Sequence, residues 1–382
     1  MAQSNAFSVT VASNAMPSWY PAAAGQVINL SAALGQSSSS FSLLDSLGVN
    51  GTTYPAGSYD SRRLDSYSGG ALLYESGRPF LHMYGGGHAD GSWNGTTKYG
   101  PLHGAGSNTP VWSVGATPSP PGSIIFGSSN GLYADGKPSA QHTYNLPVGV
   151  GSRMWMPAPG VSYSDGSNNS SGPPTPHYWE SATDTWVFPS ASAFPTPPGT
   201  GAGGGGAYYN GRLYLYKPPG DPELLRIFDI ASATWTMDGN YTTLSGDTPG
   251  LAVDTRRGAL LALRNGGAYD TGAYWPNLGN LSIPRRLGMA SPPSLTAQSL
   301  EYDYDRDVFV VPSASSASIY EMSASSLAAG NNPSWTTRSF SGPTPTNWGP
   351  QGACGRFRYV QELSGYVLVP GAMSAVYFYR AT

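Results

Sequence analysis

The sequence repeats one local pattern along most of its length, and this repeat constrains the fold more than any other feature. Each copy has an apolar strand, a polar turn containing Gly or Asp, a second apolar strand and a break of small residues. Two short runs of Val, Leu, Tyr and Phe around such a turn are the local signature of an antiparallel hairpin. The six copies begin at Gly69, Thr143, Gly206, Gly250, Ser299 and Phe357. Hairpins repeated in this way predict an all-β protein.

Successive hairpins begin roughly 45 to 75 residues apart, near the period of β-propeller blades. After several of them come a third strand, a turn with Asp or Ser, and a strand that carries a Trp. This Trp strand is clearest at Trp186, Trp235 and Trp335, and Trp112 and Trp275 are candidates for the same position. We therefore predict a β-propeller of six blades, or of seven if a further sheet lies between Trp112 and Trp186 or within residues 33–65.

The last hairpin is not followed by a Trp strand, so its blade lacks an outer strand. Near the N-terminus, Pro17-Ser18-Trp19-Tyr20 looks like an outer strand without a sheet. We predict that this N-terminal strand joins the last blade and closes the ring, which removes exposed sheet edges. The whole chain, residues 1–382, is then one domain. Its parts are residues 1–32 with the closing strand, residues 33–65 as an insertion or loop, and residues 66–382 as blades.

The order of strands, turns and Trp resembles kelch repeats over roughly residues 65–382. Two segments, residues 84–100 (YGGGHADGSWNGTTKYG) and 135–144 (DGKPSAQHTY), are similar to the GGGHxD and DGxPxxxHTY signatures of a kelch-like family of bacteria and bacteriophages. The resemblance implies a kelch-like propeller fold. It implies no activity, because most members of that family have none established.

Charge and cysteine content exclude several classes of partner. The net charge is -3, and Lys occurs only at Lys98, Lys137 and Lys217, so no basic stripe is available for a nucleic-acid backbone. The single cysteine, Cys354, excludes an internal disulfide framework, and no close Cys/His spacing indicates a metal site. No apolar run approaches the length of a membrane span. We expect no cofactor, no metal, no nucleic acid and no membrane insertion.

The two signature segments supply polar residues with possible chemistry. His88, His142, Tyr144 and the upstream Arg63 are the parts needed for β-elimination of a uronic acid polysaccharide: a proton acceptor, a proton donor and a cation that neutralises a carboxylate. They resemble the His, Tyr and Arg that some propeller polysaccharide lyases, such as ulvan lyases, use. The alternative is structural, because a His that bonds neighbouring backbone can fix one blade against the next. A metal site of His88, Asp90 and His142 is a third hypothesis.

Long loops concentrate around the first two blades, and loops are where a propeller presents a binding face. Flat aromatic faces pack on sugar rings, although aromatic residues also pack blade against blade. The candidate binding residues are Asp90, Trp93, Asn94, Tyr99 and Lys137. Ordinary surface loops are the alternative interpretation of the same segments.

Composition favours one function over two others. Ser, Gly, Thr, Ala and Tyr dominate and Lys is scarce, which resembles bacteriophage tail, fibre and decoration proteins. The sequence thus favours a non-enzymatic virion protein, assembled in the host cytoplasm, that binds a cell-surface glycan or a neighbouring virion protein through propeller loops. A homo-oligomer within a symmetric assembly fits this function. The alternatives are a secreted polysaccharide lyase and a cytoplasmic kelch-type interaction scaffold.

Overall fold

Each of the six predicted hairpins forms half of a four-stranded antiparallel sheet in the computed structural model of the chain. The structure describes residues 15–36, 39–49, 68–85, 92–104, 106, 109–125, 130–158, 161–162, 170–190, 204–216, 225–238, 250–263, 272–279, 284–287, 299–332, 334–349, 352–371 and 373–382.

The sheets follow one another along the chain. The first described elements are β1 (Gln26–Asn29), α1 (Leu30–Ala33) and α2 (Ser40–Ser46). Blade 1 contains β2 (Gly69–Glu75), β3 (Arg78–Tyr84), β4 (Thr96–Gly100) and β5 (Val111–Val114), and a 3-10 turn follows at Pro121–Ser123. Blade 2 contains β6 (Val148–Val150), β7 (Arg153–Met156), β10 (His177–Glu180) and β11 (Thr185–Val187), with a small separate ribbon of β8 (Val161–Ser162) and β9 (Ser170–Ser171) between β7 and β10.

The remaining four sheets have the same plan. Blade 3 contains β12 (Gly205–Tyr209), β13 (Arg212–Tyr216), β14 (Leu225–Asp229) and β15 (Thr234–Asp238). Blade 4 contains β16 (Gly250–Asp254), β17 (Ala259–Leu263), β18 (Gly272–Trp275) and β19 (Arg285–Leu287). Blade 5 contains β20 (Glu301–Asp303), β21 (Val308–Pro312), β22 (Ser318–Ser323) and β23 (Thr336–Ser339), with α3 (Ala324–Ala328) before its last strand. Blade 6 contains β24 (Phe357–Val360), β25 (Gly365–Leu368) and β26 (Tyr377–Arg380), with a 3-10 turn at Gln361–Leu363, and its outer strand is β1.

The first strands of the six blades surround a common axis. Each of β2, β6, β12, β16, β20 and β24 contacts the first strand of the next blade, and β24 contacts β2, so the contacts form a closed ring. The fold is therefore a six-bladed β-propeller. This confirms the all-β class and six as the number of blades in the described chain.

Glycines allow the first strands to approach one another. A Cβ atom added to Gly206 would lie 2.7 Å from the carbonyl oxygen of Leu146, and one added to Gly149 would lie 2.0 Å from that of Leu72. No side chain fits at such distances, so small residues are required beside the axis. Farther out, apolar side chains of neighbouring blades interleave, as Leu261 of blade 4 and Phe309 of blade 5 do within one cluster.

The N-terminal strand closes blade 6 as predicted, but the strand is not the one containing Trp19. Residues 26–29 pair antiparallel with β26, with Val27 opposite Tyr379. Pro17 and Pro21 flank Trp19 and have no backbone N–H to donate to a ladder, whereas every residue of β1 has one. Trp19 instead packs edge-on against Phe378, with ring centroids 5.4 Å apart, and is 7% exposed.

The Trp positions agree with the prediction in most blades. Trp112, Trp186 and Trp235 lie on the outer strands of blades 1, 2 and 3, and Trp335 directly precedes β23. The prediction for Trp275 was wrong, because it lies on β18, the third strand of blade 4, opposite Leu260 of β17. The outer strand there is Arg285–Leu287 and carries no Trp, so the Trp pattern pointed to the wrong strand.

Candidate functional site

The second signature segment begins at the surface and is buried from Pro138 to Tyr144. His142 and Tyr144 are 1% and 5% exposed, and the Tyr144 hydroxyl is 3.5 Å from His142 Nδ1. Between them, Thr143 Oγ1 accepts a hydrogen bond of 2.7 Å from the Gly69 amide and donates one to the Tyr84 carbonyl. The segment therefore joins the innermost strands of blade 1 to the start of blade 2.

Asn94 and Lys137 bond to chain segments beside this connection. Asn94 Nδ2 donates to Ser119 Oγ at 2.9 Å and to the Pro138 carbonyl at 2.6 Å, while its Oδ1 accepts from the Ser119 amide at 2.8 Å. Lys137 Nζ donates to the carbonyls of Thr117 and Pro118 at 2.9 and 3.2 Å. Asn94 is 2% exposed, so its polar atoms are occupied within the fold.

Trp93 and Tyr99 are also interior. Trp93 is 2% exposed and packs with Leu44 of α2 and with Val49, which attaches part of the 33–65 insertion to blade 1. Tyr99 is fully buried, and its ring contacts that of Trp112 at a tilt of 55°, with centroids 5.2 Å apart. Its hydroxyl donates to Gln36 Oε1 at 3.2 Å. The structure thus brings Trp93, Asn94, Tyr99, Lys137, His142 and Tyr144 to the blade 1 side of the ring, mostly as buried groups.

Arg63, His88 and Asp90 lie outside the described residues, so the complete predicted lyase and metal sets cannot be placed together. Within the described ranges, no three His, Cys, Asp or Glu side chains are grouped closely enough to hold a metal ion. Within the same ranges, no helix has the length and apolar character needed to cross a membrane.

One open site of the described structure is a cavity of about 320 Å³ on the propeller axis, called the axial cavity below. All six first strands contribute to its wall, including Leu72, Val148, Gly206, Val253, Glu301 and Arg358. Thr255, Tyr304 and Gln361, which directly follow three first strands, also line it and are exposed. The cavity therefore opens on the face where the first strands end in their hairpin turns.

Four tyrosines of the wall occupy equivalent positions in four blades. Each lies two residues before the turn that ends its first strand: Tyr74, Tyr208, Tyr302 and Tyr359, called the tyrosine ring below. Tyr302 is 8% exposed and the other three are half-buried. Tyr304 adds a fifth tyrosine at the mouth, where it is 43% exposed. The cavity thus offers accessible aromatic surface from several directions.

One ion pair lies in the cavity wall. Arg358 Nη1 donates to Glu301 Oε1, and Arg358 Nη2 donates to the Gly70 carbonyl at 2.5 Å. Both side chains are mostly buried, at 17% and 16% exposure. Burial raises the pKa of Glu301 above its ordinary value, while Arg358 acts in the opposite direction. The pair links blades 5 and 6 to blade 1 across the axis.

Carboxylates hold three of the ring hydroxyls. Tyr74 donates to Glu362 Oε2 at 3.2 Å, Tyr302 donates to Asp307 Oδ1 at 2.8 Å, and Tyr359 donates to Asp305. Burial, with the neighbouring carboxylate, raises the pKa of each of these tyrosines far above its ordinary value. The hydroxyls therefore stay protonated, and their oxygens keep lone pairs that can accept hydrogen bonds.

The described residues at the opposite end of the axis are buried. Ser68, Leu146, Ser299 and Arg356, which directly precede first strands or lie within two residues of them, are all no more than 3% exposed. Arg356 Nη1 donates to both the carbonyl and the hydroxyl of Ser68 at 2.8 Å, and Ser299 Oγ accepts from the Gly355 amide at 2.8 Å. These bonds join blades 5, 6 and 1, so the described residues pack closely at this end of the axis, and the opening of the axial cavity lies at the face of the hairpin turns.

The axial cavity was not predicted from the sequence, although the repeat contained a signal for it. Aligning the six hairpins on their turns would have placed the tyrosine ring in one column, because all four residues precede a turn by two positions. Tyrosines on short β-strands are ordinary core residues when each is considered alone. Only ring closure shows that residues as distant as Tyr74 and Tyr359 line one cavity.

Comparisons with known proteins add little beyond the fold. No protein-family model matches the sequence, and the comparison with curated proteins finds no match. Among the solved structures that align with the chain is that of the protein YjhT, at 10% sequence identity and a TM-score of 0.48. The alignment covers 82% of this chain and 94% of the other. This distant match carries no argument about function, and the chain is described by its own architecture as a six-bladed β-propeller.

Proposed function

We propose that this protein is a structural component of a bacteriophage particle that binds a cell-surface glycan in its axial cavity. The proposal that the protein belongs to a phage particle rests on its composition, which resembles that of phage tail, fibre and decoration proteins. The binding site rests on the tyrosine ring around a cavity open to solvent. A glycan presents apolar C–H faces and many hydroxyls, and this wall offers a surface for each.

The accessible tyrosines carry the proposal. Aromatic faces supply large apolar contact at little conformational cost, and their hydroxyls supply polar contacts at fixed positions. Tyr304 at the mouth and Tyr208 deeper in the wall are both accessible. The buried state of His142 and Tyr144 gives no comparable support to the polysaccharide lyase, and we do not propose it.

Glycan-array screening followed by isothermal titration calorimetry tests the binding. We expect Tyr304→Ala to weaken the best glycan by about tenfold, equivalent to about 1.4 kcal/mol, because a stacking surface is lost. Tyr320→Ala is the matched control, since Tyr320 is a half-buried tyrosine on β22 that does not line the cavity. It should bind as the unmodified protein does.

Four results would contradict the proposal. Binding of no glycan, or unchanged binding by Tyr304→Ala, would remove the cavity as the site. Absence of the protein from purified particles of a phage that encodes it would remove the virion location. New absorbance of unsaturated uronates after incubation with acidic polysaccharides would support the lyase instead.

A further inference from the structure

We infer that the axial cavity takes the terminal ring of a neutral sugar chain, entered end-on, and discriminates against uronic acids. This inference rests on the proposed function, because it names the class of sugar for the same site. It follows from the packed end of the axis, the volume of the cavity and the arrangement of its charges.

The packed end of the axis favours binding of a chain end over binding of the middle of a chain. A polysaccharide bound through internal residues needs a groove open at two ends, whereas the described residues open this cavity beside Thr255, Tyr304 and Gln361. At the other end of the axis, the described Ser68 and Arg356 are buried. A sugar chain therefore enters by its terminus.

The volume limits how much of the chain enters. Pockets for small molecules range over about 300–1,000 Å³, and the axial cavity, at about 320 Å³, is at the lower limit. This suits one sugar ring, with the next ring at the mouth near the exposed Tyr304. We therefore expect the terminal sugar alone to account for most of the binding free energy of the oligosaccharide.

The charges of the wall oppose a carboxylated sugar. Arg358 and Glu301 are the only charged residues in the cavity lining within the described chain, and they pair with each other. A carboxylate is bound best by two parallel N–H donors of one guanidinium. Each terminal nitrogen of Arg358 already directs one N–H, to Glu301 and to the Gly70 carbonyl, and its Nε is buried. A uronate at the remaining N–H groups would share the guanidinium with Glu301 and be repelled by that carboxylate.

The groups around the lining add to this discrimination. Glu362, Asp305 and Asp307 accept hydrogen bonds from hydroxyls of the tyrosine ring, so three carboxylates lie just behind the wall. Arg257 pairs with Asp307 at 2.6 Å and balances its charge, which leaves Glu362 and Asp305 to act on a ligand. A ligand carboxylate would be repelled by them, whereas sugar hydroxyls can donate to the tyrosine oxygens and to Glu301. Arg256, over the Tyr304 ring at 4.5 Å, is a cation near the mouth and not in the lining.

Saturation-transfer NMR with defined sugars tests the inference. The probes are the methyl glycosides of glucose, galactose, mannose, N-acetylglucosamine and rhamnose, together with glucuronate and galacturonate. We expect at least one neutral glycoside to bind and to displace the oligosaccharide found on the array. Each uronate should bind at least about tenfold more weakly, and Tyr304→Ala should lose the neutral probe.

A charge variant tests the role of the ion pair. Glu301→Gln releases one terminal nitrogen of Arg358 and removes a carboxylate, so we expect its affinity for glucuronate to rise by about tenfold. Glu180→Gln is the matched control, because Glu180 pairs with Arg153 at 2.8 Å on the outer part of blade 2. It should leave the preference unchanged, and near-ultraviolet circular dichroism reports whether both variants are folded.

The outcomes separate this inference from the proposed function. If no oligosaccharide binds, the proposed function itself fails. If an oligosaccharide binds but no neutral methyl glycoside displaces it, end-on entry of a neutral ring is wrong while glycan binding stands. Uronates that bind as tightly as the neutral probes would overturn the charge argument. If the Glu301→Gln protein is misfolded, the charge argument is decided by comparing neutral and uronate probes on the unmodified protein.

Discussion

We expect individual buried residues to make the stability of this propeller depend on pH, and His177 is the clearest example. It is fully buried, its Nδ1 donates to the Thr175 carbonyl at 3.0 Å, and its ring stacks on Phe188 at 5.3 Å. Burial lowers the pKa of His177 to about 4. The folded state therefore holds a neutral imidazole that the unfolded chain protonates near its ordinary pKa of about 6.5.

We predict that His177 contributes to acid sensitivity between about pH 6.5 and pH 4. In that range the unfolded state binds one more proton at this residue, so stability falls as pH falls, by up to about 1.4 kcal/mol per pH unit. His177→Gln should lose stability less steeply over the same range, whatever its stability at pH 7. Denaturant unfolding at several pH values measures both slopes, and equal slopes would show that His177 does not titrate as its burial requires.

At the scale of strands, the local chemistry of the sequence was enough to predict each hairpin but not each outer strand. Hairpins such as the one turning at Asn210-Gly211 form from adjacent residues, and both turn residues have the positive φ angles that this turn type requires. Outer strands are chosen by tertiary pairing. Closure of the last blade by an N-terminal strand was therefore predicted correctly, but the strand was placed wrongly at Trp19, a buried aromatic residue that is typical of strands.

The axial cavity was not predicted for a related reason. Its charged pair joins Glu301 to Arg358, two residues in different hairpins, and neither has a local motif around it. The predicted site residues Trp93, Asn94 and Tyr99 came instead from conspicuous local sequence. In the structure these three residues join blade 1 to the chain segments around it. Packing between segments therefore explains their unusual local sequence as well as a binding site would.

Strand β1 should matter through its backbone as well as its side chains. The Val27 amide donates to the Ser341 carbonyl at 2.8 Å, and the Val27 side chain is 2% exposed. We predict that Val27→Pro lowers the free energy of unfolding by about 2 kcal/mol more than Val27→Ala, since only proline removes this donor. Both variants lose side-chain packing, so Val27→Ala is the matched control.

Denaturant unfolding measures this difference. The Val27 amide points away from β26 and towards the segment that follows β23, so the prediction concerns the bond that ties β1 to blade 5. Equal stability of the two variants would mean that this bond does not help to hold β1 in place.

At the scale of the whole molecule, closure makes every blade dependent on two neighbours, and it also brings together β1 and β26, the first and last strands of the described chain. Gln26 lies opposite Arg380, and the Gly25 amide donates to the Arg380 carbonyl at 2.9 Å. The position of the chain break within the ring is therefore not dictated by the architecture. Exposed turns elsewhere should accept the break, as loop tips commonly do.

A circular permutant tests this consequence for the whole ring. A glycine-serine linker joins Thr382 to Met1, and the new chain begins at Gly211 and ends at Asn210, both of which are exposed. We expect a monomer with the native near-ultraviolet circular dichroism spectrum, a moderately lower unfolding midpoint and unchanged glycan binding, because all six first strands still meet at the axis. A chain that begins at Leu30 is the control, since it lacks β1 and leaves blade 6 open. If the permutant behaves like that truncated chain, then the break in blade 6 is a requirement for folding, and the blades do not form an equivalent ring.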